Sequence, residues 1–88
     1  MEKRAVITEE EKKEIRCGLT HALERTLELY GGGKHKNLKR ALDEGYGVLR
    51  GFYNALWIVY TMEAVEDELG DEIRAIWEVY RQRVNEAI

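Results

Sequence analysis

The amino-acid sequence predicts an all-α protein, a small helical bundle of three helices. Three observations lead to this fold class. The chain of 88 residues contains no proline and no serine, which is typical of an almost entirely helical protein. Apolar residues recur at intervals of three and four along most of the chain, and this is the period of an amphipathic helix. Signals that end a helix occur at residues 31–33 and at Gly70, and they divide the chain into three segments.

Helix 1 is predicted at about residues 8–30 of a single helical domain, after a flexible N-terminus at residues 1–7. Thr8 and Glu11 have the spacing of a capping box, in which each side chain accepts a hydrogen bond from the other residue's amide. The apolar stripe of this helix comprises Ile15, Leu19, Ala22, Leu23, Leu27 and Tyr30. The glycines at residues 31–33 then end the helix.

Helix 2 is predicted at about residues 37–69 and helix 3 at about residues 71–88. A straight helix over the first of these ranges would be about 50 Å long, whereas a globular protein of this size should be only ~30 Å across. Helix 2 therefore either breaks near Gly47, which would give four helices, or stays straight and protrudes. In a straight helix, Gly47, Gly51 and Ala55 are spaced by four residues and would let another backbone approach closely.

Helix 2 also carries charges of the unfavourable sign at both predicted ends. Its start, where the macrodipole is positive, has Lys34, His35, Lys36, Lys39 and Arg40. Its end, where the macrodipole is negative, has Glu63, Glu66, Asp67 and Glu68. These charges indicate a partner surface of opposite sign.

An antiparallel pair of helices 2 would supply that partner surface. A two-fold axis near Phe52 and Tyr53 would place each basic end beside an acidic end, and it would cover the apolar middle of the helix. We therefore expect homo-oligomerisation to complete the bundle, with an antiparallel dimer favoured. The predicted interface comprises Gly47, Gly51, Phe52, Ala55, Leu56 and Val59.

Composition limits the function classes. The net charge is −3 with both signs mixed, so no general affinity for nucleic acid is expected. The longest apolar stretch, residues 55–62, is far shorter than the roughly 20 residues of a membrane span, so no membrane association is expected. The single cysteine cannot form a disulfide within the chain, which favours a reducing, cytoplasmic location. The scarcity of asparagine and glutamine is typical of a thermostable protein.

A metal- or haem-binding protein is the alternative interpretation. Spacings of four, three and four residues place one set of side chains on the same side of helix 1. This set is Cys17, His21, Glu24 and Glu28. Thiolate, imidazole and carboxylate groups are ligands of zinc. His21 could also ligate haem iron, with the glycines of helix 2 leaving room for the macrocycle. No cofactor is required by these patterns.

Anion binding at the start of helix 2 is a third interpretation. Asn37 can cap this helix, and free amides at a helix N-terminus favour a phosphate when basic side chains are near. The basic residues are Lys34, Lys36, Lys39 and Arg40. Enzyme activity is not expected, because serine is absent and Cys17 is the only thiol. The sequence therefore favours a small helical module for protein–protein interaction and assembly, self-associating through the apolar middle of helix 2.

Overall fold

The fold is all-α, as predicted, and the computed structural model of the chain describes residues 2–32 and 36–86. The three helices are α1 at Glu9–Tyr30, α2 at Leu38–Val59 and α3 at Met62–Glu86. The described residues form no strand beyond one isolated bridge between Arg4 and Tyr60. The helices lie side by side in an elongated bundle that measures 47 × 20 × 17 Å. The predicted fold class is therefore confirmed.

Helix α1 begins and ends close to the predicted positions. Thr8 is its N-cap, and its Oγ1 accepts a hydrogen bond from the Glu11 amide at 3.1 Å. Glu11 Oε1 accepts one from the Thr8 amide at 3.0 Å, so the predicted capping box is confirmed. At the other end, the amide of Gly31 donates to the carbonyl of Leu27 at 2.7 Å, and the helix stops there.

The N-terminal segment differs from the predicted flexible tail. The amide of Arg4 donates to the carbonyl of Val59 at 2.9 Å, and the carbonyl of Arg4 accepts from the amide of Thr61 at 2.9 Å. Ile7 is buried in the core. The predicted flexibility of this segment is therefore corrected. The segment is held in place because it supplies hydrogen-bond partners that the end of α2 and the start of α3 would otherwise lack.

Glu11 ties this segment to the turn between α2 and α3. Its carboxylate accepts hydrogen bonds from the Tyr60 hydroxyl at 2.5 Å and from the Arg4 guanidinium at 2.7 and 3.0 Å. The bond from Tyr60, followed by the bond from the Thr8 amide, lowers the pKa of Glu11 from 4.5 to about 2. Burial and the bond to Glu11 raise the pKa of Tyr60. One carboxylate thus connects the N-terminal segment, α1 and the turn.

The lowered pKa of Glu11 makes stability depend on acid pH. A carboxylate whose pKa is lower in the folded state stabilises that state above the unfolded pKa, and this contribution is lost as pH falls from about 4.5 to about 2. We expect the urea midpoint to fall over this range. Glu11→Gln should be less stable at pH 7 and should show a smaller acid dependence. Glu10→Gln, at the exposed neighbouring position, is the control, and an identical acid profile in both variants would contradict this network.

The helix boundary predicted at Gly70 is wrong, and the chain turns at Tyr60 and Thr61 instead. Tyr60 is extended, with φ −115° and ψ 159°, and its amide donates to the carbonyl of Leu56. Thr61 then caps α3, because its Oγ1 accepts a hydrogen bond from the Ala64 amide at 3.2 Å. Gly70 lies inside α3.

Helix α2 is shorter than predicted and is continuous. It contains 22 residues, or about 33 Å at 1.5 Å per residue, and it fits within the 47 Å length of the bundle. Neither Gly47 nor Gly51 interrupts it, so the alternative with four helices is wrong as well. The long helix that would have to kink or protrude is two helices, joined at Tyr60 and Thr61.

Because α3 begins at Met62, the acidic residues assigned to the end of helix 2 lie at the start of a different helix. Glu63, Glu66, Asp67 and Glu68 belong to the beginning of α3, and Glu63 lies in its first turn. Carboxylates are favourable there, because the N-terminal end of the helix dipole is positive. The predicted charge mismatch is therefore wrong at this end. It remains at the start of α2, whose first turn has no acidic residue.

Helices α1 and α3 are parallel, and α2 is antiparallel to both. Ion pairs join α1 to α3 in ascending order along both helices, at Lys12–Glu68 (2.6 Å), Arg16–Glu72 (2.9 Å) and Glu24–Arg83 (3.9 Å). The core lies between the three helices, and its largest fully buried side chains are Leu19, Val65, Leu69 and Val84. The arrangement is an up-down-up bundle with short connections.

Gly45 allows α2 to pack closely against α3. A Cβ at this position would lie 2.8 Å from Cζ of Tyr80, which is closer than packed atoms allow. The Tyr80 hydroxyl donates to the carbonyl of Ala41 at 2.5 Å, and this bond holds the ring over the glycine. Packing inside the bundle therefore requires glycine at position 45.

Candidate functional site: the outer face of α2

The exposed side of α2 carries a row of small and apolar residues. We call this row the outer face, and its members are Gly47, Gly51, Ala55 and Ile58. Spacings of four, four and three residues place them on one side of the helix. All four are exposed, and Ile58 is 74 % exposed. The core residue Leu56 lies on the opposite side, so the described part of the chain leaves the outer face uncovered.

The two glycines of the outer face have open space above them. A Cβ added at Gly47 or at Gly51 would meet no side chain and no other segment of the described chain within 4 Å. Gly45 differs, since a Cβ there would collide with Tyr80. Glycine in a helix interior costs up to about 1 kcal/mol relative to alanine. Packing within the described chain does not require this cost at Gly47 or Gly51.

The predicted interface residues fall on two sides of α2. The exposed ones are Gly47, Gly51, Ala55 and Val59. Leu56 is only 7 % exposed and belongs to the core. Phe52 is half-buried, and a Cβ added at Gly18 of α1 would contact its ring at 3.5 Å. The assignment of Leu56 and Phe52 to an external interface is therefore corrected, because both side chains pack inside the bundle.

Ile58 is the member of the outer face that sequence reasoning missed. It follows Gly47 by eleven residues, which is three helical turns, and this spacing was the available signal. The signal is weak because residues 52–62 are apolar at almost every position. Only the placement of the core shows that Ile58 points away from it.

Charged side chains lie at the N-terminal end of the outer face. Lys39 is 3.6 Å from Asp43, and Arg40 is 3.9 Å from Glu44. The guanidinium of Arg40 also lies over the Tyr30 ring, 5.0 Å from its centroid. Each of these cations thus has an acidic partner one turn further along α2, which offsets the positive charge of this helix end.

The remaining residues predicted to bind an anion do not form a binding site together with Lys39 and Arg40 in the described part of the chain. Lys34 lies outside the described residues, as does the neighbouring His35. Lys36 is exposed. Asn37 Oδ1 accepts a hydrogen bond from the Arg40 amide at 3.0 Å, so the helix N-terminus is already capped by its own chain. The described residues here carry three cations and two carboxylates, and the two carboxylates pair with Lys39 and Arg40.

The predicted metal ligands do not converge. The exposed side chains along α1 include Cys17, His21, Glu24 and Glu28. Across residues 2–32 and 36–86, no group of three or more histidine, cysteine, aspartate or glutamate side chains is placed to hold a metal ion. Glu24 instead lies 3.9 Å from Arg83. His21 is exposed, whereas a haem ligand lies inside a pocket that covers the macrocycle.

Aromatic side chains border the outer face on the side of α3. The rings of Tyr53 and Trp57 are 5.3 Å apart, and those of Tyr46 and Trp77 are 6.2 Å apart. A shallow cavity of about 420 Å³ runs along α2 beside Tyr46, Tyr53 and Trp57. Burial raises the pKa of Tyr53, and the Glu66 carboxylate adds to this effect. These rings pack α2 against α3 and leave the outer face free of aromatic side chains.

Comparisons with known proteins do not assign the chain to a family. No protein-family profile matches it, and no curated protein and no solved structure matches it. Within the part of the chain that the structure describes, no helix is long and apolar enough to cross a membrane. The structure defines an all-α bundle of three helices with an uncovered row of small and apolar residues on α2.

Proposed function

We propose that this chain is a protein-interaction and assembly module that self-associates through the outer face of α2. The observation that carries the proposal is the open space above Gly47 and Gly51. Each glycine weakens α2 by up to about 1 kcal/mol relative to alanine. A close approach by a second helix gives both glycines a role, because helix axes come nearer to each other where side chains are missing.

An antiparallel pair of α2 helices makes this surface self-complementary. With the two-fold axis between Phe52 and Tyr53, Ile58 of one copy faces Gly47 of the other, since the two residues lie equally far from the axis. The exposed side chain of Ile58 then fills the space above Gly47. Burial of such a side chain contributes about 1.5–3 kcal/mol, and symmetry makes the contact twice.

Charge supports the antiparallel orientation. The start of α2 has one more cation than carboxylates, because Lys36 adds to the pairs that Lys39 and Arg40 form. The start of α3 has the exposed carboxylates of Glu63 and Asp67. These groups lie near opposite ends of α2, so an antiparallel pair brings the basic end of one copy to the acidic end of the other. Exposed pairs contribute only about 0–1 kcal/mol each. Burial of apolar residues therefore drives association, and charge selects the orientation.

The variant Gly51→Arg tests this proposal. The substitution should leave the folded monomer intact, because position 51 is exposed and open, but it should prevent a close helix pair. We expect sedimentation velocity at micromolar concentration to show a dimer for the wild type and a monomer for Gly51→Arg. Circular dichroism should show the same helical content for both proteins.

Gln82→Arg is the matched control for Gly51→Arg. It adds the same charge at an exposed position of α3, away from the outer face, and it should dimerise as the wild type does. If Gly51→Arg retains the wild-type mass, the outer face is not the contact between copies. If both variants dissociate, added positive charge rather than its position would be responsible, and the proposed interface would again be contradicted.

A further inference from the structure

A groove between α1 and α3 is a second surface feature, separate from the outer face of α2. It is open to solvent and has a volume of about 290 Å³, near the lower end of the volumes of small-ligand sites. Its walls are apolar and include Leu23 of α1 with Ile76, Val79 and Tyr80 of α3. Val79 is 56 % exposed, so the groove presents apolar surface to solvent.

Ion pairs lie before and after the groove along the seam between α1 and α3. Arg16 and Glu72 pair at 2.9 Å on one side of it. Glu24 and Arg83 lie 3.9 Å apart on the other side and form part of its lining. The groove therefore combines an apolar channel with a charged end, which is the pattern of a site that orients a ligand.

Arg83 is the cation at this charged end, and its pairing is weak. Its 3.9 Å separation from Glu24 is too long for a hydrogen bond. The Arg16 guanidinium, by contrast, donates to both carboxylate oxygens of Glu72, at 2.9 and 3.0 Å. A guanidinium has five N–H donors in a planar arrangement that fits a carboxylate. Arg83 is thus placed to exchange Glu24 for an anion that can accept its hydrogen bonds.

We propose that this groove binds a small amphiphilic carboxylate. The hydrocarbon chain lies along Leu23, Ile76 and Val79, and the carboxylate accepts hydrogen bonds from Arg83. Glu24 is half-exposed, so its side chain can turn toward water when the ligand takes its place. The Arg83 guanidinium favours an anionic head, and a groove of about 290 Å³ has room for a short chain. The site shares no residue with the outer face of α2, so its test is independent of self-association.

Octanoate is the probe, and octanol is the uncharged comparison. Titration of ¹⁵N-labelled protein with octanoate, below the concentration at which it forms micelles, should shift the amide signals of Leu23 and Val79 saturably. The signals of Gly47 should stay unchanged. Each buried methylene strengthens binding about fourfold, so octanoate, with two methylenes more, should bind about sixteenfold more tightly than hexanoate. Octanol, which lacks the charged head, should bind about tenfold more weakly than octanoate.

Two variants test separately how the carboxylate and the hydrocarbon chain of the ligand contribute to binding. Arg83→Gln should weaken octanoate about tenfold and leave octanol unchanged. Ala75 is exposed and lines the groove, so Ala75→Phe should fill it and abolish binding of both probes. Arg81→Gln, at an exposed position of the same helix, is the control and should bind as the wild type does. The absence of saturable shifts at Leu23 and Val79, or equal octanoate affinity in Arg83→Gln, would overturn the proposal.

Discussion

Replacing Gly70 with proline is expected to lower the free energy of unfolding by about 3 kcal/mol or more. Gly70 is buried in the interior of α3, where proline removes a backbone hydrogen bond and its ring meets the carbonyl of Glu66. A protein of this size is commonly stable by about 5–10 kcal/mol, so the loss is a large share of the total. Urea unfolding, monitored by circular dichroism, measures this loss of stability.

Gly70→Ala should have the opposite effect. An added Cβ would lie 3.4 Å from the terminal atoms of Glu66 and Arg74, and these flexible side chains can move aside. Alanine is favoured over glycine in a helix interior by about 0.5–1 kcal/mol, so the free energy of unfolding should rise by that amount. If Gly70 ended a helix in the left-handed conformation, alanine would destabilise the protein instead. A loss of stability in Gly70→Ala would therefore contradict a continuous α3.

Gly45→Ala is expected to lower the free energy of unfolding by about 1–3 kcal/mol. Its Cβ would lie 2.8 Å from Cζ and 2.9 Å from Oη of Tyr80. The ring is held in place by the hydrogen bond from its hydroxyl to the carbonyl of Ala41. Relief of the overlap therefore requires that α2 and α3 separate or that this bond breaks. The urea midpoint of the variant measures the cost.

Gly47→Ala and Gly51→Ala are matched comparisons for Gly45→Ala, because all three make the same change in the same helix. At dilution, where the monomer prevails, each should raise the free energy of unfolding by about 0.5–1 kcal/mol, since the space above both glycines is open. Where the dimer forms, the added methyl groups should hold the helices apart and raise the dissociation constant. Equal stability changes at positions 45, 47 and 51 would contradict the packing of α2 against α3.

The ends of α1 could be predicted because the groups that form them are close in sequence. Thr8 and Glu11 cap each other within one turn. The turn between α2 and α3 could not be predicted in this way, because it has no glycine or proline. Part of its hydrogen bonding comes from Arg4, which is far away in sequence, near the N-terminus. The local signal that was available is Thr61, a favourable N-cap with Glu63 in the first turn of the helix.

The candidate site could be predicted only in part, for a similar reason. The spacing of four residues correctly grouped three small residues that are exposed together, Gly47, Gly51 and Ala55. Phe52 and Leu56 could not be separated from them by periodicity, because residues 52–62 are apolar on nearly all sides of the helix. Packing against the other helices separates them, since Leu56 is buried and Phe52 lies beside Gly18 of α1.

The solution mass of the wild-type chain tests self-association most directly. Light scattering should be recorded over a micromolar dilution series at two salt concentrations. We expect a mass of about 20 kDa, twice the 10.3 kDa of one chain, and a modest weakening of the dimer at high salt because exposed ion pairs are screened. A mass of 10.3 kDa over the whole series would contradict self-association.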